Sequence, residues 1–172
     1  MKTRNPLILT ARIAESDLQP FDLLRQKHFP PDRSFLRAHL TMFHRLPGEY
    51  VAQLVERLQC AADGAQPITA EVSGLRNLGA GVAFTITSPQ LHALRATLRS
   101  DFAQWLGSQD LRTWQPHITI QNKVSRSAAD RLHRELIDGF QRRRIKIVGL
   151  DLWRYLNGPW EGETSVLFED AC

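Results

Sequence analysis

The sequence predicts an α+β fold of two similar halves, with antiparallel sheets lining a central cleft and helices packed outside. The first observation is a four-residue pattern, histidine–apolar–threonine–apolar, which occurs at residues 39–42 and again at 117–120. The second is that each copy precedes a short loop, a stretch with helical periodicity and a stretch typical of a hairpin. The third is a related tetrapeptide in the later strands, Val-Ser-Gly-Leu at 72–75 and Ile-Val-Gly-Leu at 147–150. These repeats favour two lobes related by a pseudo-two-fold axis.

The first half is predicted from its alternation, its apolar spacing and its prolines. Alternating apolar residues indicate strands, and apolar residues three or four positions apart indicate helices. Pro20 fits the first turn of a short helix, which the Pro30-Pro31 pair would end. The elements expected are a strand at Leu7–Ile13, a helix at Pro20–His28, the first motif strand at Phe35–Leu46, a helix at Glu49–Ala62, and hairpin strands at Ile68–Leu75 and Val82–Thr87.

The second half shows the same order of elements. Ser88-Pro89 is a favourable helix start, since proline is well tolerated at the first helical position. Ser125 is a plausible N-cap for a later helix that Gly139 would end. The elements expected are a helix from Ser88 to Leu106, the second motif strand at Thr113–Gln121, a helix from Ser125 to Gly139, and a closing hairpin of Arg144–Tyr155 and Thr164–Phe168.

Composition is that of an ordinary globular protein. Of the 172 residues, 42% are hydrophobic and 23% charged, and no linker-like segment divides the chain, so we expect one bilobal domain over residues 1–172. The net charge of +4 is compatible with an anionic partner. Cys60 and Cys172 lack metal-ligand spacing, and we expect neither a signal peptide nor a membrane span. We therefore expect a cytoplasmic monomer that makes no membrane contact.

The two motifs carry the residues needed for acid–base chemistry on a phosphate. On a strand, the histidine and threonine of each motif project to one side, and the two apolar residues project into the core. Two such strands side by side would surround one volume with two imidazoles and two hydroxyls. Imidazole is both a usable base and a usable acid near neutral pH. A threonine hydroxyl can hold a non-bridging phosphate oxygen, and this chemistry requires no metal and no cofactor.

Two such motifs in matching lobes resemble the two-histidine phosphoesterase superfamily, which includes the bacterial 2′-5′ RNA ligase and cyclic phosphodiesterase group. The resemblance covers nearly the whole chain, through the order of elements as well as the motifs. It implies that His39 and His117 are the acid–base pair and that Thr41 and Thr119 bind phosphate. It also implies a substrate class: RNA ends or small nucleotides with a 2′,3′-cyclic phosphate or a 2′-5′ linkage, with reversible 2′-5′ ligation as a related activity.

Three further residues are candidate substrate contacts. Phe43 follows Thr41 by two positions, so alternation puts it on the catalytic face, where it could stack on a base or pack in the wall of the cleft. Trp160 belongs to an aromatic set near the last turn that either lines the cleft or plugs the end of the sheet. Lys123 follows the second motif, where the family often has a basic residue. By the same alternation, His44 and Trp114 should face away from the catalytic residues.

Two other functions remain open at this point. One is a nucleotide- or RNA-binding module that keeps the fold without turnover; a pure binder has no need of two titratable imidazoles. The other is a metal-dependent hydrolase. No carboxylate or cysteine lies near His39 and His44 in the sequence, which argues against a metal held by this pair.

Overall fold

A computed structural model of the protein describes residues 5–33 and 36–169. Within these ranges it has seven strands and five α-helices, joined by short loops and three single 3₁₀ turns. In chain order they are β1 (Leu7–Ile13), α1 (Glu15–His28), β2 (Leu40–Leu46), α2 (Val51–Ala62), β3 (Ile68–Asn77), β4 (Val82–Thr87), α3 (Pro89–Asp101), α4 (Ser108–Leu111), β5 (His117–Gln121), α5 (Arg126–Ile137), β6 (Arg143–Tyr155) and β7 (Trp160–Leu167).

The strands form one antiparallel sheet that closes on itself. Around the ring the order is β1, β2, β5, β4, β3 and β6, and β6 pairs back onto β1, while β7 adds to β6. Exchanging β1 with β4, β2 with β5 and β3 with β6 leaves the order of the ring unchanged. The predicted α+β class and pseudo-two-fold arrangement are therefore confirmed, with the strands of both halves joined in a single sheet. The halves divide between β3 and β4, so β4 is the first strand of the second half and corresponds to β1. The expected match between the hairpins β3–β4 and β6–β7 was wrong, because β7 lies outside the ring.

The repeated tetrapeptide marks the same irregularity in both halves. Where β3 pairs with β4, the register slips so that Ser73 is an extra residue just before Gly74. Where β6 pairs with β1, it slips again, and Val148 is the extra residue just before Gly149. Such bulges bend a strand and increase its twist, which helps a sheet to close. The glycine at 149 is also required by space, because a Cβ there would lie 2.3 Å from the carbonyl oxygen of Val166.

The helices cover the ring from outside and bury its apolar side chains. Helix α1 packs across β5, and α5 packs on β3. Phe21 of α1 meets Phe84 of β4 edge-to-face, at 5.3 Å between ring centroids. Ser125 caps α5 as expected, its hydroxyl accepting the N–H of Ala128. Phe21 and Phe84 belong to one continuous hydrophobic core, which also contains Leu40 and Ile118 of the motif strands.

Helix α1 begins five residues earlier than predicted. The carbonyl of Ala14 already accepts the N–H groups of Asp17 and Leu18, so Pro20 lies in the second turn. The N–H that proline lacks would have bonded the carbonyl of Ser16, close to the exposed start of the helix. The loss is small at that place, which is why Pro20 is tolerated there.

Both motif strands begin later than predicted. Phe35, the expected first residue of the first one, lies outside the described residues, and β2 starts at Leu40. The N–H of Ala38 donates to the carboxylate of Asp22 at 2.7 Å instead of to a neighbouring strand. The second strand starts at His117, directly after Pro116, which has no N–H to give to a ladder.

Other boundaries differ in the second half. Helix α3 ends at Asp101, so Leu106 lies beyond it, and the short helix α4 was not predicted. Strand β7 starts at Trp160 because the tight turn pairs that residue with Tyr155 of the long β6.

Among the described residues, no helix is both long and apolar enough to cross a bilayer. Cys60 is exposed with a free thiol, and Cys172 lies outside the described residues.

Candidate functional site

The four motif side chains line one cavity of about 380 Å³. Strands β2 and β5 are neighbours, and they are paired at Leu40 and Ile118, the residue that follows the histidine in each motif. Both of these side chains are fully buried in the core. The alternation along each strand therefore directs His39 and Thr41, and likewise His117 and Thr119, into the cavity.

Each histidine is oriented by the backbone two residues before it. The Nδ1 of His39 lies 2.8 Å from the carbonyl oxygen of Arg37, and the Nδ1 of His117 lies 2.7 Å from that of Gln115. Because a carbonyl only accepts, each Nδ1 carries the proton. In the neutral ring Nε2 is then the unprotonated nitrogen, available to a ligand. The same device in both halves gives the two imidazoles matching tautomers.

The surroundings of both histidines favour the neutral ring. Burial lowers the pKa of His39 to about 4; the nearby charges of Arg25, His117 and His44 act in the same direction, and the hydrogen bond to Arg37 opposes them. Burial also lowers the pKa of His117, as do the charges of Arg76 and His44, against the bond to Gln115. An anion bound between the rings would favour their charged forms.

The rest of the cavity is cationic and polar. Arg76 at the end of β3, Arg95 of α3 and Arg112 after α4 line it, and no Asp or Glu of residues 5–33 and 36–169 does. The remaining lining residues are His44, Gln109, Thr113, Trp114 and Gln115. A cavity with several arginines and no carboxylate suits an anion such as a phosphate.

Two buried arginines tie each half to the motif strand of the other. Arg25 of α1 donates to the carbonyl of Thr119 at 2.8 Å, and Arg95 of α3 donates to the carbonyl of Met42 at 3.0 Å. Each also donates to a backbone carbonyl in its own half, at 3.1 and 2.9 Å. Arg25 is 6% and Arg95 5% exposed to solvent. Strands β2 and β5 pair with each other at Leu40 and Ile118, and the two arginines help to fix the separation between these strands.

The predicted faces of Phe43 and His44 were wrong, because β2 does not alternate regularly after the motif. Against β1, the register slips twice, so that β2 carries an extra residue on each side of Phe43. His44 consequently lines the cavity with His39 and Thr41. Phe43 is fully buried, with Phe102 packed edge-on at 5.5 Å, so its ring is not available to a substrate.

Trp114 also lies on the side opposite to its predicted one. The residues before His117 are not a strand, so alternation does not apply to them. The indole lines the cavity, and its Nε1 donates to the carbonyl of Thr41 at 3.1 Å. It thereby links the second half to the first motif.

The two remaining candidates are placed differently. The ring of Trp160 lies 4.7 Å from that of His39, and the two residues line a neighbouring cavity of about 330 Å³. Lys123 is exposed in the loop after β5, with a φ of 59°, and is not among the residues lining the cavity that holds the histidines.

Sequence reasoning missed most of the basic and polar residues of the cavity. Arg76, Arg112 and Gln109 have no pattern in the sequence that relates them to the motifs. His44 lies close to the first motif, but strand alternation predicted that its side chain faces away from the catalytic residues. In the described part of the chain, no group of three or more His, Cys, Asp or Glu side chains could hold a metal ion.

Comparisons with known proteins identify a family and a fold for the chain. A sequence profile of the 2′-5′ RNA ligase superfamily matches residues 12–159. No curated protein sequence matches the chain. Among solved structures, TT0787 of Thermus thermophilus superposes with a TM-score of 0.67 at 14% identity, over 95% of this chain and 97% of that one. Escherichia coli LigT in complex with 3′-AMP superposes with a TM-score of 0.62 at 17% identity, over 96% and 99%.

Proposed function

Because the chain belongs to the 2′-5′ RNA ligase superfamily, we propose that it is a metal-independent phosphoesterase acting on 2′,3′-cyclic phosphates or 2′-5′ linkages of RNA ends or small nucleotides. One observation carries the proposal: the two histidines and two threonines of the duplicated motif line the same cavity. The LigT protein, which has this fold, was crystallised with 3′-AMP and with phosphate. Formation of a 2′-5′ linkage would open the same cyclic phosphate with the 5′-hydroxyl of a second RNA end as the nucleophile in place of water.

In the proposed reaction His39 is the base and His117 the acid. A pKa of about 4 keeps His39 unprotonated at neutral pH, so its Nε2 takes a proton from water as the water oxygen attacks phosphorus. The bond from phosphorus to the 3′-oxygen breaks, and His117, whose charged form the anionic substrate favours, gives that oxygen its proton. The products are a 2′-phosphate and a 3′-hydroxyl.

The remaining groups stabilise charge on the phosphate. The hydroxyls of Thr41 and Thr119 donate to its non-bridging oxygens, which become more negative in the transition state. Arg76 and Arg112 line the same cavity and supply positive charge without any carboxylate nearby to cancel it. The strands provide a rigid mount for all four motif side chains, as in-line displacement requires.

Turnover of a small substrate tests the proposal directly. Purified protein is incubated with nucleoside 2′,3′-cyclic phosphates, and the product is identified by ³¹P NMR, with and without EDTA. We expect a 2′-phosphate product at an unchanged rate in EDTA. Activity that is lost in EDTA and restored by a divalent ion would identify a metal-dependent hydrolase, and nucleotide binding without turnover would identify a binding module.

Variants of the motif test the assigned roles. His39→Ala and His117→Ala should each lower the rate by about 10²–10⁴, as for a lost acid or base. Thr41→Val or Thr119→Val should cost up to about 10³. Because the groups act together, the double histidine variant should be little worse than either single one. His133→Ala, on helix α5, is the matched control and should keep wild-type activity; a near wild-type His117→Ala enzyme would contradict the proposal.

A further inference from the structure

Two consecutive residues after the first motif oppose a single residue of the neighbouring strand. Leu9 pairs with Phe43 and Leu7 with Leu46, so His44 and Arg45 together face Ile8. A bulge of this kind leaves backbone N–H groups without ladder partners and can redirect side chains. It lies three residues from Thr41, at the edge of the cavity described above.

A buried carboxylate from the other half of the chain holds this bulge. Asp110 of α4 is 1% exposed and accepts the N–H of His44 at 2.8 Å and the N–H of Arg45 at 3.0 Å. It also lies 3.1 Å from Nδ1 of His44, which fixes the imidazole ring. Arg95 anchors the segment further by donating to the carbonyls of Met42 and Asp110. The bulge is thus held by two buried side chains, Asp110 and Arg95, and is not the conformation of an exposed loop.

The bulge opens onto a second cavity of about 320 Å³ that shares Thr41, His44 and Gln109 with the first. Arg45 lines it as well, and its other walls are apolar or aromatic: Pro6, Ile8, Tyr155 and Trp160. In the part of the chain that the structure describes, no Asp or Glu lines this cavity and no ion pair engages Arg45. With Nδ1 held by Asp110, Nε2 is the nitrogen of His44 left for a ligand.

We propose that His44 and Arg45 form a second anion-binding subsite, which takes the phosphate on the 5′ side of the nucleotide whose reactive phosphate occupies the first cavity. The inference rests on the proposed function in that it takes the first cavity as the reactive-phosphate site. A guanidinium, and an imidazole ring when it is protonated, donate charge-assisted hydrogen bonds to a phosphate, and the carboxylate of Asp110 faces His44 from the opposite side of its ring. The rings of Tyr155 and Trp160 give the attached nucleoside an aromatic surface.

Equilibrium binding of unreactive ligands tests the subsite. Dissociation constants are measured by calorimetry for a nucleoside 2′-phosphate and for the corresponding 2′,5′-bisphosphate. For the wild type we expect the bisphosphate to bind at least about tenfold more tightly, as charge-assisted contacts allow. His44→Gln and Arg45→Gln should each reduce this ratio to about threefold or less. Arg45→Gln should leave the affinity for the monophosphate within about twofold.

The controls separate this inference from the proposed function. Arg57→Gln, an exposed arginine of α2, should keep the wild-type ratio, and thermal melting checks that each variant folds. Equal affinities of the wild type for the two ligands, or a wild-type ratio in Arg45→Gln, would overturn the subsite. Failure to turn over a cyclic mononucleotide would contradict the proposed function but leave the binding ratio as it is.

Discussion

At the level of single residues, the site depends on how two imidazoles are held. Both donate Nδ1–H to the carbonyl two residues earlier, so both present Nε2 to the cavity in the neutral form. In the free enzyme, burial lowers the pKa of both rings relative to that of a histidine in water. This allows a pH dependence to be predicted.

The kcat/KM for a cyclic phosphate should be bell-shaped and displaced to acidic pH. This constant reports groups of the free enzyme, so it should rise as His39 loses its proton near pH 4 and fall as His117 loses its own. Because the pKa of His117 is lowered, the falling limb should lie below the ordinary value of about 6.5. Initial rates between pH 3.5 and 8 measure both limbs. A profile that is flat in this range, or that falls only above pH 7, would contradict the assignment.

At the level of elements, the irregular part of β2 shapes the cavity as much as its regular part does. The motif itself alternates, and the bulge that follows needs a carboxylate from α4 to hold its N–H groups. Burial would by itself raise the pKa of Asp110, but the hydrogen bonds from His44 and Arg45 outweigh it and lower that pKa. The ionised carboxylate therefore stabilises the fold.

Replacing Asp110 by Asn should lower the free energy of unfolding by about 2–4 kcal/mol at neutral pH, because an amide cannot accept all of these bonds. Since the pKa of Asp110 is lower in the folded state, its contribution is complete above about pH 4 and is lost as the pH falls further. Urea unfolding at pH 7 and pH 3.5 measures the difference in the free energy of unfolding between wild type and variant. This difference should be smaller at pH 3.5. A gap below about 0.5 kcal/mol at pH 7 would mean that the bulge does not need this carboxylate.

The two arginines between the halves give a second prediction about elements. Arg25→Lys and Arg95→Lys keep the charge but cannot donate to two carbonyls in the fixed geometry of a guanidinium. The motif strands would then be less well fixed, so kcat should fall by about tenfold or more with a smaller change in KM. Steady-state kinetics of both variants, with Arg57→Lys as control, measure this. Unchanged kcat in both would show that backbone pairing alone positions the strands.

For the whole molecule, the site lies where the two halves meet. Each half supplies one motif strand, and six strands from both halves close the ring, with β2 and β5 joined at Leu40 and Ile118. Neither half contains a complete cavity, since Arg76 comes from the first and Arg112 from the second. The ring makes the stability of each half depend on the other.

Unfolding in urea should therefore be a single transition. All four tryptophans lie in the second half and contact the first half, so their fluorescence reports the junction, whereas far-ultraviolet circular dichroism reports the backbone of the whole chain. Midpoints that coincide within error are expected for a cooperative two-state process. Two separated midpoints would show that the halves fold independently and that the ring adds little.

The sequence was sufficient for features that depend on neighbouring residues. Strand alternation put His39 and Thr41 on one side and Leu40 on the other, and the second motif follows the same rule because burial alternates through both motifs. The repeated order of elements indicated two halves related by a pseudo-two-fold axis, though not the closed ring, and the shared glycine tetrapeptide marks equivalent bulges in both halves.

The features that depend on distant residues required the folded chain. His44 enters the cavity because β1 forces a bulge and Asp110, 66 positions away, stabilises it; no local rule contains that information. Arg76 and Arg112 reach the motifs from elements that only the closed ring brings together. Alternation is a property of one strand, whereas register, bulges and cavities depend on contacts between strands, and that is why the four motif residues could be predicted and their surroundings could not.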